Sequence, residues 1–332
     1  MKHKHLFSIC CILIIFSCTT LKIENDPLSH GKWTQVKTAD GSAPSARHEA
    51  AFVAVGDRYY LIGGRGMKPV NVYNPKTNQW KTGSIPPIEM HHFQPVIYRN
   101  EIYILGAMTG PYPGEIPIAN IYIYNPIMDE WRMGDAIPEE RRRGGAGISV
   151  HGDHIYMVCG IRDGHRGDHK NWLDVYHVPS STWKKLADAP RPRDHFQTAI
   201  INEKIYAVAG RTTISSDNPF KNTMREMDIY DIASDSWTTA AAQLPTPRAG
   251  NAVTVIGNDL VVFGGESFYQ QSAHPELEHY DTVTGEWRTL TEIPVGRHGT
   301  GLIKDGQQLI TASGSGDRGG GPELDDLWVF EF

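Results

Sequence analysis

Arginine recurs at matching positions along this chain of 332 residues, and the recurring set could bind an anion. The positions align when they are counted back from six short apolar runs, each of which ends in two small residues. Five of the six units carry arginine there, namely Arg47, Arg143, Arg193, Arg248 and Arg297. Arginine presents a planar fork of donors that pairs with carboxylate or sulfate. The set is therefore predicted to bind the acid groups of a substrate.

Histidine and glutamate accompany these arginines. His48 and His298 take the next position, His92 and His195 stand one place further on, and Glu266 follows the glycine pair of the fifth unit. These side chains exchange protons in the range where general acid–base catalysts work. Elimination beside a uronate carboxylate needs a base, an acid and cations that stabilise the developing charge. The five residues are predicted to be catalytic, although each arginine or histidine could instead bond the carbonyls of its own loops.

A further polar group lies in one loop and consists of Asp163, His165, Asp168 and His169. These types can ligate a metal, but their spacing is loose and no cysteine pair accompanies them. The group is interpreted as a solvated loop, and neither a metal nor another cofactor is predicted.

Composition narrows the possible functions. The formal net charge is −6, which argues against nonspecific binding to nucleic acid. The cysteines are Cys10, Cys11, Cys18 and Cys159. Because three of them lie in or just after the first apolar stretch, the folded part has one thiol and no internal disulfide. Cys159 takes a small-residue position in a predicted buried strand and is expected to be inert.

Aromatic residues mark six repeated units. Tryptophan occurs at positions 33, 80, 131, 183, 237 and 287. A tyrosine stands seven residues before each of the last five, at positions 73, 124, 176, 230 and 280. The apolar runs, such as YYLIGG at 59–64 and LVVFGG at 260–265, indicate buried strands. The repeated aromatic residues are therefore predicted to be core residues.

This combination of small-residue pairs, tyrosine and tryptophan resembles the kelch motif over nearly all of residues 32–332, although only units one and five keep both glycines. The period of about 50 residues also matches. The resemblance implies an all-β, six-bladed kelch-type β-propeller. Its last unit ends at Phe330 on a third strand, so Lys32-Trp33-Thr34-Gln35 is predicted to close the ring as the fourth.

Long connections follow the second strands of the middle units, at 107–120, 161–172, 211–226 and 266–277. Because they leave the same face of a propeller as the recurring arginines, this face is predicted to bind the ligand. The arginines are expected to ring the mouth of the central channel and to make it strongly basic.

The N-terminus is predicted to be an export signal over residues 1–17. Lys2 and Lys4 precede an apolar stretch that is too short to span a bilayer. The sequence before Cys18 resembles the lipobox of bacterial lipoproteins, which implies cleavage there and lipidation of the thiol. Residues 18–31 would form a tether and residues 32–332 the propeller. The alternative is an ordinary signal peptide with an incidental cysteine.

Fold, export and the arginine set together look like the kelch propellers found among carbohydrate-degrading lipoproteins. That resemblance implies an outer-membrane enzyme, periplasmic or at the cell surface, anchored by lipid and monomeric. It would be a carbon–oxygen lyase or dehydratase acting on acidic oligosaccharides from sulfated or uronate-containing, ulvan-like polysaccharides. One alternative is an epimerase resembling sialate mutarotase, which would use Glu266 with Arg248. Another is a noncatalytic propeller that binds glycans or proteins.

Overall fold

The protein is described by a computed structural model, which covers residues 27–332 apart from positions 213 and 215. It contains six antiparallel sheets of four strands each. Helix in this part of the chain is confined to four 3-10 segments, at Pro27–His30, Glu139–Arg141, Gly164–Arg166 and Val178–Ser180. The prediction of an all-β, six-bladed propeller is confirmed.

The first three blades follow one another along the chain. Blade one contains β2 Ala50–Val55, β3 Arg58–Gly63, β4 Asn71–Asn74 and β5 Gln79–Thr82. Blade two contains β6 Val96–Tyr98, β7 Glu101–Ile104, β10 Asn120–Asn125 and β11 Glu130–Ala136, and its long loop forms a ribbon of β8 Met108–Thr109 and β9 Ile116–Pro117. Blade three contains β12 Gly147–His151, β13 His154–Val158, β14 Leu173–His177 and β15 Thr182–Lys185.

The remaining blades complete the ring. Blade four contains β16 Gln197–Ile201, β17 Lys204–Val208, β18 Asp228–Asp231 and β19 Ser236–Thr239. Blade five contains β20 Ala252–Ile256, β21 Asp259–Phe263, β22 Leu277–Asp281 and β23 Glu286–Thr289. Blade six contains β24 Ile303–Asp305, β25 Gln308–Ala312, β26 Leu327–Glu331 and β1 Lys32–Gln35.

The N-terminal strand closes the last blade as predicted. Strand β1 pairs antiparallel with β26, and Trp33 stands opposite Phe330 in the register. The indole of Trp33 also packs against Phe263 of blade five and donates a hydrogen bond to the Thr291 carbonyl at 2.9 Å. Both ends of the described chain are thereby held in one sheet, which removes the open edge that a propeller would otherwise leave there.

Each tyrosine–tryptophan pair forms a direct cross-strand contact. Tyr73 stands opposite Trp80, and the same register recurs in blades two to five. The ring centroids of these five pairs lie 5.0–5.1 Å apart. Phe330 takes the tyrosine position of blade six, 5.3 Å from Trp33. These contacts confirm the repeated aromatic residues as part of the packing within each blade.

A girdle of backbone surrounds the central axis just before the inner strands. One equivalent residue of each blade has a positive φ, between 52° and 65°. Three blades use glycine there, and the others use Glu49, His92 and His195. Amide-to-carbonyl hydrogen bonds link these positions from blade to blade, for example from His92 to the Glu49 carbonyl at 3.1 Å and from His195 to the Gly145 carbonyl at 2.9 Å. The girdle holds three chargeable side chains close to the axis.

The predicted signal peptide and most of the tether, including Cys18, lie outside the described residues. Within the described residues no helix is long and apolar enough to cross a membrane. Cys159 is fully buried, and burial raises the pKa of its thiol to about 11, which agrees with an inert packing role.

Candidate active site

A cavity of about 630 Å³ opens on the propeller axis at the face from which the long loops emerge. Every blade contributes to its wall. Three residues of the wall, His48, Glu49 and His92, come from the segments just before the first, innermost strand of a blade. The others come from the loops that follow the second strand of a blade, namely Arg65, Tyr112, His165, Arg211, Pro219, Phe220, Glu266, Gly319 and Gly320. The predicted binding face is therefore the face that carries a ligand-sized cavity.

The five recurring arginines do not line this cavity. Each is fully buried within its own blade, with 0% relative exposure. Arg143 donates to Asp174 at 2.7 Å and to the Met157 carbonyl at 2.7 Å, and Arg193 donates to Asp228 at 2.5 Å. The other three make the same kind of contact, Arg47 with Asn71, Arg248 with Glu278 and Arg297 with Asp326.

This placement corrects the expectation that Arg47, Arg143, Arg193, Arg248 and Arg297 ring the mouth and bind substrate. Their guanidinium groups face the third strand and the loop carbonyls of their own blades. Burying a charge is costly unless it is paired or hydrogen-bonded. Four of these guanidinium groups are paired with a carboxylate, and that of Arg47 is hydrogen-bonded to the Asn71 amide oxygen and to backbone carbonyls. The arginines are scaffold residues that tie the inner strands to the outer ones.

Two other arginines face the cavity. Arg65 and Arg211 each come directly after the two small residues that end the apolar run of the second strand. Glu266 occupies the same position in blade five. Arg65 donates to Glu115 at 2.6 Å, and Arg211 donates to Glu266 at 2.6 Å. The side chain of Arg65 is 24% exposed, whereas that of Arg211 is 3% exposed. Aligning all six units on the Glu266 position would have identified both arginines from the sequence.

Three carboxylates balance these cations. Glu49 and Glu266 line the cavity, and Glu115 lies behind Arg65. Burial alone would raise the pKa of Glu266, but His298 and Arg211 outweigh burial and lower the pKa to about 2. Contacts with His165 and Arg65 likewise hold the pKa of Glu115 below its usual range against the effect of burial. With two guanidinium groups and three carboxylates, the mouth is not strongly basic, which corrects that expectation.

Glu266 does not contact Arg248, because the guanidinium of Arg248 is bound to Glu278 inside blade five. Its carboxylate instead bonds Arg211 and accepts from the Gly319 amide at 2.7 Å. The two residues are therefore not in contact, and the mutarotase-like alternative, which would use Glu266 with Arg248, lacks this pair.

His48 lines the cavity and has a carboxylate within hydrogen-bond distance of its ring. Its Nδ1 lies 2.7 Å from Oε1 of Glu323, and Lys68 holds the other oxygen of Glu323 at 2.8 Å. A histidine that is oriented by a carboxylate through Nδ1 can offer Nε2 as a base. The arrangement suits proton transfer at the cavity wall.

The other predicted histidines lie deeper. His92, His195 and His298 have side chains that are 1–2% exposed. Burial lowers the pKa of His92 and His195, so both favour the neutral form. His298 lies 3.5 Å from Glu266 and 3.6 Å from Glu49 through its two ring nitrogens. The structure thus brings the predicted histidines and Glu266 together, with His48 and His92 on the cavity wall and His195 and His298 behind it.

The loop group that was interpreted as solvated divides in two. Asp163 and Asp168 are exposed, as expected. His165 is buried, and its ring lies 5.3 Å from the ring of His92 and 5.0 Å from that of His195. His169 contacts Asp194 at 2.9 Å. Long-range packing of the loop determines this outcome, and local sequence spacing carried no signal for it.

A constriction lies at the inner end of the cavity. A space of about 30 Å³ lies at the girdle and is lined by Glu49, His92 and His195 together with the girdle glycines Gly145, Gly250 and Gly299. This is room for about one water molecule. The axial space is therefore much narrower at the girdle than in the cavity above it.

The six four-stranded blades define a β-propeller with a pocket on its axis. A family model described as the KLHDC2/KLHL20/DRC7 Kelch-repeats domain matches residues 145–332. The chain belongs to this kelch-repeat family.

Curated relatives agree with this assignment. Kelch-like protein terF of Aspergillus terreus is 27% identical over 330 residues, which cover 91% of this chain and 69% of that protein. Kelch-like protein 38 of Homo sapiens is 23% identical over 214 residues, and the match spans only 35% of its length. An N-(sulfonatooxy)prop-2-enimidothioate sulfolyase of Thlaspi arvense is 20% identical over 277 residues, which cover 74% of this chain and 77% of that protein.

A solved structure shares the fold. The structure described as that of YjhT superposes with a TM-score of 0.73 at 14% identity, covering 86% of this chain and 95% of that chain. At this identity the likeness concerns the fold alone.

Proposed function

We propose that the protein is an exported carbohydrate-active enzyme that acts on acidic oligosaccharides by elimination, as a carbon–oxygen lyase or dehydratase. The observation that supports this proposal is the axial cavity of about 630 Å³, in which an accessible arginine and a carboxylate-oriented histidine share one wall. A sulfolyase-named relative of similar length is consistent with lyase chemistry on this fold.

Arg65 replaces the buried arginines as the group that binds the substrate carboxylate. It is the more exposed of the two cavity arginines, and it is held in place by Glu115. A bidentate contact with a uronate would withdraw electron density from the carbon beside the carboxylate and stabilise the enolate-like charge.

His48 is the proposed base. Its Nε2 would take the proton from the carbon next to the carboxylate, and Glu323 would stabilise the imidazolium through Nδ1. A carbon–carbon double bond forms as the carbon–oxygen bond at the neighbouring carbon breaks. Tyr112, at the rim of the cavity, is placed to give a proton to the leaving oxygen. The leaving group departs as an alcohol in a lyase and as water in a dehydratase.

Export and a lipid anchor on Cys18 form part of the proposal and rest on the sequence Ile15-Phe16-Ser17-Cys18. An anchored enzyme of this kind would meet large polysaccharides at the outer membrane. In a bacterial host that processes lipoproteins, Cys18→Ser is expected to release a soluble protein or to leave it unprocessed. A variant that is cleaved and still sediments with membranes would contradict the anchor.

The enzymatic part is tested by incubating the purified protein with a panel of glucuronate-containing oligosaccharides, including those from ulvan. Elimination predicts new ultraviolet absorbance from a conjugated double bond, and dehydration also predicts the loss of one water per product. Binding without any change in mass or absorbance would favour the noncatalytic alternative, and a change of configuration alone would favour an epimerase.

Variants of His48 assign the base. His48→Ala is expected to lower the rate about a hundredfold or more with a small change in KM. Glu323→Gln should have a smaller effect, because it weakens the orientation of the ring and leaves the base in place. Arg162→Ala, on the same face but outside the cavity wall, is the matched control. An unchanged rate in His48→Ala would exclude His48 as the base.

A further inference from the structure

Three buried imidazoles from three blades meet beside the cavity. His92 and His195 come from the girdle of blades two and four, and His165 comes from the long loop of blade three. Their ring centroids are 4.5–5.3 Å apart. One ligand atom of each ring lies within 4.8 Å of a ligand atom of the other two. The sequence gaps between them are too irregular to form a local motif, so the propeller alone assembles the cluster.

Carboxylates fix the proton positions of two rings. Nδ1 of His195 lies 2.5 Å from Oδ1 of Asp194, and Nδ1 of His165 lies 3.0 Å from Oε2 of Glu115. An ionised carboxylate only accepts hydrogen bonds, so Nδ1 carries the proton in both rings. Nε2 of each neutral imidazole is then left with an unshared electron pair.

A relay through His91 fixes the third ring. Nε2 of His91 lies 3.1 Å from the Gly110 carbonyl, which only accepts, so this nitrogen is the donor. Nδ1 of the neutral His91 ring is then an acceptor, and it lies 2.6 Å from Nδ1 of His92. His92 must donate across this contact. Its Nε2 is therefore also left with an unshared pair.

The cluster thus holds three acceptors and lacks a donor among its own rings. Nε2 of His195 is buried and has no hydrogen-bond partner among the described residues. His274 shows the contrast. Its Nδ1 lies 3.0 Å from Glu276 in the same manner, but its Nε2 is bonded to Ser267 at 2.8 Å. A buried acceptor without a partner is costly, and a cation would satisfy Nε2 of His195 together with the unshared pairs of the other two rings.

We infer that His92, His165 and His195 bind a divalent transition-metal ion, with zinc as the ion that the ligand set fits best. Zinc binds imidazole nitrogen at about 2.0–2.1 Å, and three protein ligands with one open position are typical of its catalytic sites. The Asp194 and Glu115 contacts are the carboxylate–histidine arrangement that orients metal-binding imidazoles. This inference is independent of the substrate class proposed above.

The surroundings suit a dication with an open coordination position. Glu49 places Oε2 at 3.5 Å from Nε2 of His92, and with Glu266 it balances the two guanidinium groups of the cavity wall. His92 and His165 also line the cavity, so the open position would face it. Nitrogen ligands favour zinc and its neighbours over calcium and magnesium, which prefer oxygen.

The test measures metal content and zinc binding in the untagged wild-type protein. After treatment with a chelator, calorimetric titration with Zn²⁺ is expected to show one tight site. Titration with Co²⁺ should give the visible absorption of a tetrahedral or five-coordinate ion, which reports on the site without any activity assay. The absence of zinc binding at micromolar concentrations, or preference for Ca²⁺ or Mg²⁺, would overturn the inference.

Variants locate the site. His165→Gln should abolish the tight site, and Glu115→Gln should weaken it by about 10–100-fold by removing the partner of Nδ1. His274→Gln is the matched control, because this histidine is also buried and bound to a carboxylate but lies outside the cluster. Circular dichroism confirms that each variant is folded. A tight zinc site that persists in His165→Gln would overturn the assignment to these residues, as would loss of that site in His274→Gln.

Discussion

The arginines of the blades and the arginines of the cavity are the same residue type in opposite roles. Arg193 is fully buried and donates to Asp228 and to three carbonyls of its own blade. Arg65 lies on the cavity wall and keeps about a quarter of its side chain accessible. The first position carries arginine in five blades, whereas arginine occurs in only two blades at the second position. The arginine that repeats in five blades therefore belongs to the scaffold, whereas the arginine that occurs in two blades lines the cavity.

The girdle shows a similar contrast in the backbone. All six blades place one residue in the left-handed region, and blades three, five and six use glycine there. Glu49, His92 and His195 accept a conformation that is unfavourable for residues with a Cβ, and all three face the axial site. Three blades meet the same backbone requirement with glycine, so the fold itself does not call for a glutamate or histidine at this position.

The largest effect expected from this comparison is on stability. Arg193→Ala removes the 2.5 Å partner of the buried Asp228, which keeps only Arg191, at 3.5 Å, as a cation among the described residues. We therefore expect a loss of about 3 kcal/mol in the free energy of unfolding. Arg132→Ala removes an exposed pair with Glu101 and should change the same quantity by about 1 kcal/mol or less. Denaturant unfolding measures both. Equal effects would contradict the division into scaffold and surface arginines.

A smaller effect concerns acid stability. The pKa of Glu266 is lowered to about 2 in the folded protein, so its carboxylate stabilises the fold above the unfolded pKa of about 4.5. This contribution, about 3 kcal/mol from the size of the shift, is lost progressively as the pH falls from about 4.5 towards 2.

Glu266→Gln removes that titration. The difference in unfolding free energy between wild type and variant should therefore be largest near pH 7 and shrink between about pH 4.5 and 3. Urea unfolding over this range measures it, with the exposed Glu130→Gln as the control. A difference that stays constant with pH would show that Glu266 is not held ionised by its neighbours.

Much of the fold could be predicted from the sequence because the determining contacts repeat. The tyrosine–tryptophan spacing specified the register of the two outer strands, and the missing fourth strand after Phe330 pointed to Trp33. The sequence also contained a signal for the scaffold role of the recurring arginines. Asp174, Asp228 and Glu278 each stand two residues before the blade tyrosine, and Asn71 does the same in blade one.

Blade two agrees with this interpretation, because it lacks both the arginine and its acidic or amide partner. Met90 replaces the arginine there, and Tyr122 stands where blades one, three, four and five have an acid or amide. Blade six keeps Arg297 but has Trp328 at this position, and its acid is Asp326, two residues earlier. Reading the two positions jointly would have identified the arginines as scaffold. The histidine cluster had no such signal, since His165 reaches His92 and His195 only through the packing of a long loop that differs from blade to blade.

The most direct test of the account is the affinity of one acidic ligand for two arginine variants. Calorimetric titration with a glucuronate-containing oligosaccharide from ulvan is carried out on wild type, Arg65→Gln and Arg162→Ala. Losing a charged hydrogen bond costs about 1.5–3 kcal/mol, so Arg65→Gln should bind about tenfold more weakly or worse. Arg162→Ala should match wild type. Wild-type affinity in Arg65→Gln would contradict the assignment of substrate binding to the cavity arginine.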